Sequence, residues 1–343
     1  MLNSIQILRA LAAWLVVGHH YMQLFYSHKL GGIAPDLLRD FGAIGVDLFF
    51  VISGFVIYGS TVSKPTTPKS FAANRIARVA PAYWLFSSVT AITLIYAPDS
   101  IPLTAFDPIF FLKSLLFIPA QNPSGVGLYP LMTVGWTLNY EASFYLVFFS
   151  ALFLPAAYRA IGLFLGVIAL QLVAKKMNGA ISFYGNTMVW EFLFGVALSI
   201  AYKRGLVTRI PPIAGLLMML GALSAIVYFG PVTHNPLRSG LPCAVILCAC
   251  LSQERLFPKH NFIARLGDWS YSTYLCHVLI ICAAIKVNEH FATNHVLLAF
   301  GVIAAIALTS YASFTLVEMP ISRAAKRMQA RMKKTKAVPQ ANQ

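Results

Sequence analysis

Arg9 and His20 stand eleven residues apart in an otherwise apolar N-terminal stretch. In a helix that interval returns to within about 20° of the same face, about 16 Å further along the axis. Ala13 and Val16 fill the stripe between them. An imidazole titrates near neutrality, which suits it as a general base for a hydroxyl. The same side chain also serves in packed bundles as a core histidine bonded to a neighbouring helix, and spacing alone leaves both roles open. His19 points about 100° away and reads as structural. Asp47, in Gly45-Val-Asp47-Leu-Phe-Phe-Val-Ile-Ser53-Gly54-Phe55, suits either orienting a histidine, holding a sugar hydroxyl or ending a close-packed helix. Arg75 and Arg78, at i and i+3, share a helix face. Their forks suit phosphate, although basic anchoring of a membrane helix explains them equally. Glu141 lies inside an apolar run, where a carboxyl must be neutral or paired. Tyr274 and His277 lie one turn apart in another. Glu191 and Glu318 are weaker candidates.

The elements that position these groups follow from composition. Of 343 residues, 58% are hydrophobic and 11% charged, and the mean hydropathy is +0.70. Apolar runs cover approximately residues 5–26, 42–60, 80–97, 107–119, 136–154, 160–174, 181–201, 211–229, 240–252, 267–286 and 295–318. Crossing a bilayer takes about 20 residues per helix. Lipid offers no partner for backbone amides, so spans are helices or closed barrels. Continuous rather than alternating runs select helices.

The net charge of +15 gathers in loops and in the segment from Arg323 to Lys336. Such a distribution fits the basic bias of cytoplasmic loops and excludes a nucleic-acid surface. Placing the loop at Lys64–Arg78, the loops at Lys203–Arg209 and Arg255–Arg265, and the tail on one side requires an odd number of crossings between residues 98 and 203. The short run 107–119, with Lys113 between Pro108 and Pro119, is the one expected not to cross. The expectation is therefore an all-α polytopic protein of about ten transmembrane helices with both termini cytoplasmic. Residues 1–320 form the membrane domain, and 321–343 form a basic tail without fixed structure. The five cysteines lie in apolar runs with no CxxC pair, which argues against a disulfide framework or a metal site.

Five blocks in this order resemble the acyltransferase-3 family of membrane acyltransferases. They are Arg9-x10-His20, the stretch from Gly45 to Phe55, Arg75-x-x-Arg78-x-x-Pro81-x-Tyr83-Trp84, Trp136-x-Leu-x-x-Glu141-x-x-Phe144-Tyr145, and Ser270-Tyr271-x-x-Tyr274-Leu-x-His277. Glu318-x-Pro320 matches the family's closing signature, whereas Leu279 stands where the family often has proline. The resemblance implies a bacterial inner-membrane enzyme that moves an acetyl group from acetyl-CoA to a carbohydrate or glycolipid hydroxyl. It makes His20 the essential histidine, Arg9 its partner, and Arg75 and Arg78 the donor-binding arginines. Glu141 and Asp47 are then expected to orient the imidazole or the sugar, and Tyr274 and His277 to meet substrate. The donor's arm is expected beside the Arg9–His20 stripe. No metal is expected; the lipid bilayer and envelope-polysaccharide biosynthesis proteins are the expected partners. Some relatives carry an SGNH-type domain after the membrane domain, and its absence here favours direct transfer or an unlinked partner. Buried His and Glu also belong to proton relays, so a proton-coupled small-molecule transporter is the alternative, and a scaffold subunit of a polysaccharide complex is a third.

Overall fold

The computed structural model describes residues 2–63, 66–258 and 262–336. Among them there are helices and turns but no strand. The helices are α1 (Asn3–Leu24), α2 (Ile33–Phe41), α3 (Ile44–Ser63), α4 (Pro68–Tyr96), α5 (Pro108–Leu115), α6 (Trp136–Ala151) and α7 (Arg159–Lys175). They continue with α8 (Trp190–Lys203), α9 (Pro212–Phe229), α10 (Leu241–Ser252), α11 (Phe262–Phe291), α12 (His295–Ser313) and α13 (Met319–Lys336). Six stretches among the described residues are long and apolar enough to cross a membrane: α3, α4, Ala156–Lys175, α9, α11 and His295–Arg331.

Starts are set by local chemistry. Thr67 accepts a hydrogen bond from the Ser70 amide at 3.2 Å, with Pro68 next in the chain. Asp107 accepts from the Phe110 amide at 2.7 Å ahead of Pro108. Such caps satisfy amides that a helix start leaves open. Having eight residues, α5 is about 12 Å long, too short to cross, in keeping with the expectation for 107–119.

Helices α3 and α11 sit centrally, whereas α7, α9 and α12 expose most of their apolar surface at the periphery. Small residues bring the inner helices together. A Cβ added at Gly267 of α11 would strike the Gln6 backbone of α1, and one at Gly54 of α3 would strike the Phe192 carbonyl of α8. The pairs α1–α11 and α3–α8 are accordingly the most extensive in the bundle.

Two expectations are corrected here. The tail is helical as far as Lys336, with 337–343, like Lys64, outside the described residues. It is tied to α4: the Ser70 hydroxyl donates to Gln329 Oε1 at 2.7 Å, and Gln329 Nε2 donates to Asn74 Oδ1 at 3.1 Å. These polar contacts supply what its composition lacks in apolar surface. The stripe between Arg9 and His20 is also no channel. Ala13 and Val16 are buried, and Val16 packs on Gly45.

Candidate active site

A cavity of about 520 Å³ enters the bundle at the end where α4 begins. Ordered along the helices, its mouth is lined by Thr66, Asn74, Ser322 and Lys326. Its walls carry Arg9, Arg75, Arg78, Ser53, Glu141 and Tyr145, and its far end carries Val46, Phe49, Thr137 and Tyr274. The open space thus lies between α3, α4, α6 and α11, with Arg9 reaching it from α1.

The three arginines are held differently. Arg78 Nη1 donates to Glu318 Oε2 at 2.5 Å, and the Ser272 hydroxyl donates to Glu318 Oε1 at 2.6 Å. Glu318 is almost fully buried, so Arg78 neutralises it as well as facing the cavity. Arg75 lies 5.9 Å from the centroids of both the Phe71 and Tyr145 rings, and its buried Nε has no partner. Stacked guanidinium with free donors suits an incoming phosphate. Arg9 makes no ion pair among the described residues. It faces the cavity with Glu141. Glu141 in turn accepts from the Tyr145 hydroxyl at 2.5 Å and the Ser53 hydroxyl at 3.2 Å.

Beyond the cavity's far end lie the histidines. Tyr274 is fixed by donating its hydroxyl to the Val134 carbonyl at 2.8 Å, while Thr137 donates to it at 3.0 Å. One turn on, His277 is completely buried. His277 Nε2 lies 3.0 Å from His20 Nδ1, with ring centroids 4.9 Å apart. His20 itself is half-buried. His19 turns away and pairs with the Arg39 carbonyl at 2.9 Å, tying α1 to α2 as a structural histidine does.

The expected residues thus form three groups. His20, His277 and Tyr274 come together; Arg9, Arg75, Arg78 and Glu141 line the cavity. Asp47 stands apart. It is fully buried, its Oδ2 lies 2.9 Å from His234 Nδ1, and Glu191 reaches it from α8. Neither Asp47 nor Glu141 is bonded to His20, whose ring meets His277 instead. His277 is not among the residues that line this cavity and meets His20 instead. Sequence reasoning missed His234, whose ring lies 5.7 Å from that of Trp136, because nothing near it in the chain marks it. It also missed Ser322 and Lys326, whose basic run reads as a solvated tail.

A membrane-embedded helical bundle with a basic-walled cavity leading to a histidine pair has the parts of a group-transfer enzyme. The chain belongs to the acyltransferase-3 family: that family, described as an acyltransferase domain, matches residues 2–314. It is an O-acyltransferase. Among its relatives is the exopolysaccharide production protein ExoZ of Rhizobium meliloti (strain 1021), 30% identical over 290 residues, covering 82% of this chain and 90% of that one. Another is the acyltransferase MdmB of Streptomyces mycarofaciens, 24% identical over 317 residues, 82% of this chain and 79% of that one. The peptidoglycan O-acetyltransferase OatA of Listeria monocytogenes serovar 1/2a (strain ATCC BAA-679 / EGD-e) is 26% identical over 359 residues, covering 93% of this chain and 56% of the relative. No solved structure matches.

Proposed function

We propose that this enzyme moves an acetyl or similar short acyl group from cytoplasmic acetyl-CoA to a hydroxyl of an extracytoplasmic or lipid-linked glycan, with His20 as base. The observation that carries it is the cavity itself. Three arginines face it, and its far wall, Tyr274, is one turn from the His277–His20 pair. A phosphate-bearing donor with a long thin arm fits that shape and charge. Relatives named for exopolysaccharide production and peptidoglycan O-acetylation support a glycan acceptor. About ten spans, both termini in the cytoplasm and a place in a bacterial inner membrane belong to the same proposal.

In the reaction, Arg75 and Arg9 hold the phosphates while the thioester lies towards Tyr274. His20 takes the proton of the acceptor hydroxyl as its oxygen attacks the thioester carbonyl. The C–S bond breaks, and the proton passes from His20 to the departing thiolate, so no proton is gained or lost overall.

Two measurements test this. Purified protein in detergent is expected to bind CoA by calorimetry, with Arg75→Ala weakening binding about tenfold or more, the loss of one charged contact worth about 1.5–3 kcal/mol. In the producing strain, His20→Ala is expected to bring glycan acetylation, read by mass spectrometry, to background at unchanged protein level. A protein that binds no CoA, as a transporter or scaffold would not, overturns the donor; full acetylation with His20→Ala overturns the base.

A further inference from the structure

We infer that His277 is the positioning residue of the base: it holds His20 in the one tautomer that leaves His20 Nε2 free to take a proton. The inference rests on His20 acting as base and goes beyond it by assigning the group that makes His20 competent.

The assignment follows from what can donate and what can accept. His277 Nδ1 lies 2.8 Å from the Tyr274 carbonyl oxygen. A carbonyl only accepts, so in neutral His277 the proton is on Nδ1 and Nε2 carries the lone pair. That lone pair faces His20 Nδ1 at 3.0 Å, so His20 Nδ1 must donate. A second acceptor, the Val16 carbonyl, lies 3.1 Å from the same nitrogen and makes the same demand. Two acceptors converging on Nδ1 place the proton there, and His20 Nε2 is left with its lone pair.

In many acyl-transfer sites a carboxylate does this work by accepting from the far nitrogen of the base. Here the two carboxyls expected to orient the imidazole or the sugar are bonded elsewhere, Asp47 with His234 and Glu141 with Tyr145 and Ser53. A neutral imidazole suits the place. His277 is wholly buried within a membrane helix, where an ionised carboxylate beside apolar groups carries a heavy desolvation cost. The relay also reaches back into the backbone of α11, so the helix that forms the cavity's far wall at Tyr274 sets the proton position on α1. When His20 takes the acceptor's proton at Nε2, the Nδ1–H remains bonded to His277, which stabilises the imidazolium until the thiolate leaving the donor collects the proton.

The test is steady-state kinetics in inverted membrane vesicles of the producing strain, which hold the native acceptor, following CoA thiol release against acetyl-CoA concentration per quantified enzyme. His277→Leu removes the acceptor. It is expected to lower kcat by about a hundredfold while KM for acetyl-CoA moves less than threefold. His277→Gln places an amide oxygen near the position of Nε2 and is expected to recover at least a tenth of wild-type kcat, which also answers any failure of the leucine variant to fold. A raised KM with intact kcat would make His277 a substrate contact and overturn the inference, as would unchanged kinetics in His277→Leu or a glutamine variant as inactive as the leucine one. His20→Ala, run alongside, separates the two levels: activity there overturns His20 as base, whereas an inactive His20→Ala beside a fully active His277→Leu overturns only the role of His277.

Discussion

At the scale of single residues, the two arginines of the Arg75-x-x-Arg78 pair, alike in sequence, have different work. Arg78 neutralises the buried Glu318, which Ser272 also holds. Removing one partner of such a pair leaves a charge uncompensated, a loss typically of about 3–5 kcal/mol. Arg78→Ala is therefore expected to lower the thermal midpoint in detergent and the yield of monodisperse protein, and Arg78→Ala with Glu318→Gln to recover part of both. Arg75 bears no ion pair among the described residues, so Arg75→Ala is expected to leave the midpoint within a degree or two while weakening CoA binding. Equal loss of stability in the two variants would show that Arg75 too is structural. The Arg9–His20 spacing was legible because it is fixed by the geometry of one helix. The partner of His20 was not, since His277 lies 257 residues away and only the docking of α11 on α1 brings them together. For the same reason Asp47 read as able to orient a histidine on α1, when α3 turns it towards His234.

At the scale of elements, the His20–His277 pair depends on how closely α1 and α11 approach. Gly267 permits that approach, because any Cβ there meets the Gln6 backbone. Gly267→Ala is expected to push α11 off α1, to break the His20–His277 contact and to reduce turnover more than it reduces CoA binding. Unaltered turnover would mean that the interface yields without moving the pair. The second element of consequence is α13, beyond the end of the family match at residue 314. It brings Ser322 and Lys326 to the cavity mouth. Lys326→Glu is expected to weaken CoA binding about tenfold, and 3′-dephospho-CoA to show a smaller difference between variant and wild type if the lysine meets the 3′-phosphate. The sequence showed the apolar helices plainly. It hid this one, because a basic segment with little apolar surface is held here by contacts of Ser322 and Gln329 with α4, whose residues lie far away in the chain.

At the scale of the whole molecule, the bundle divides into an inner set that makes the site and an outer set that meets lipid. Helices α3 and α11 bury most of their surface, and α9 and α12 bury little. The central claim is that acetyl-CoA enters the inner set through the cavity between α3, α4, α6 and α11. Ser53, halfway up that cavity, reports on it directly. In a chain whose five native cysteines are replaced by alanine or serine, a Ser53→Cys substitution is nearly isosteric, and Leu11→Cys on the exposed face of α1 serves as control. Maleimide labelling of Ser53→Cys is expected to slow at least tenfold under saturating acetyl-CoA, with Leu11→Cys unaffected. Labelling of Ser53→Cys at the same rate with and without acetyl-CoA would contradict the account.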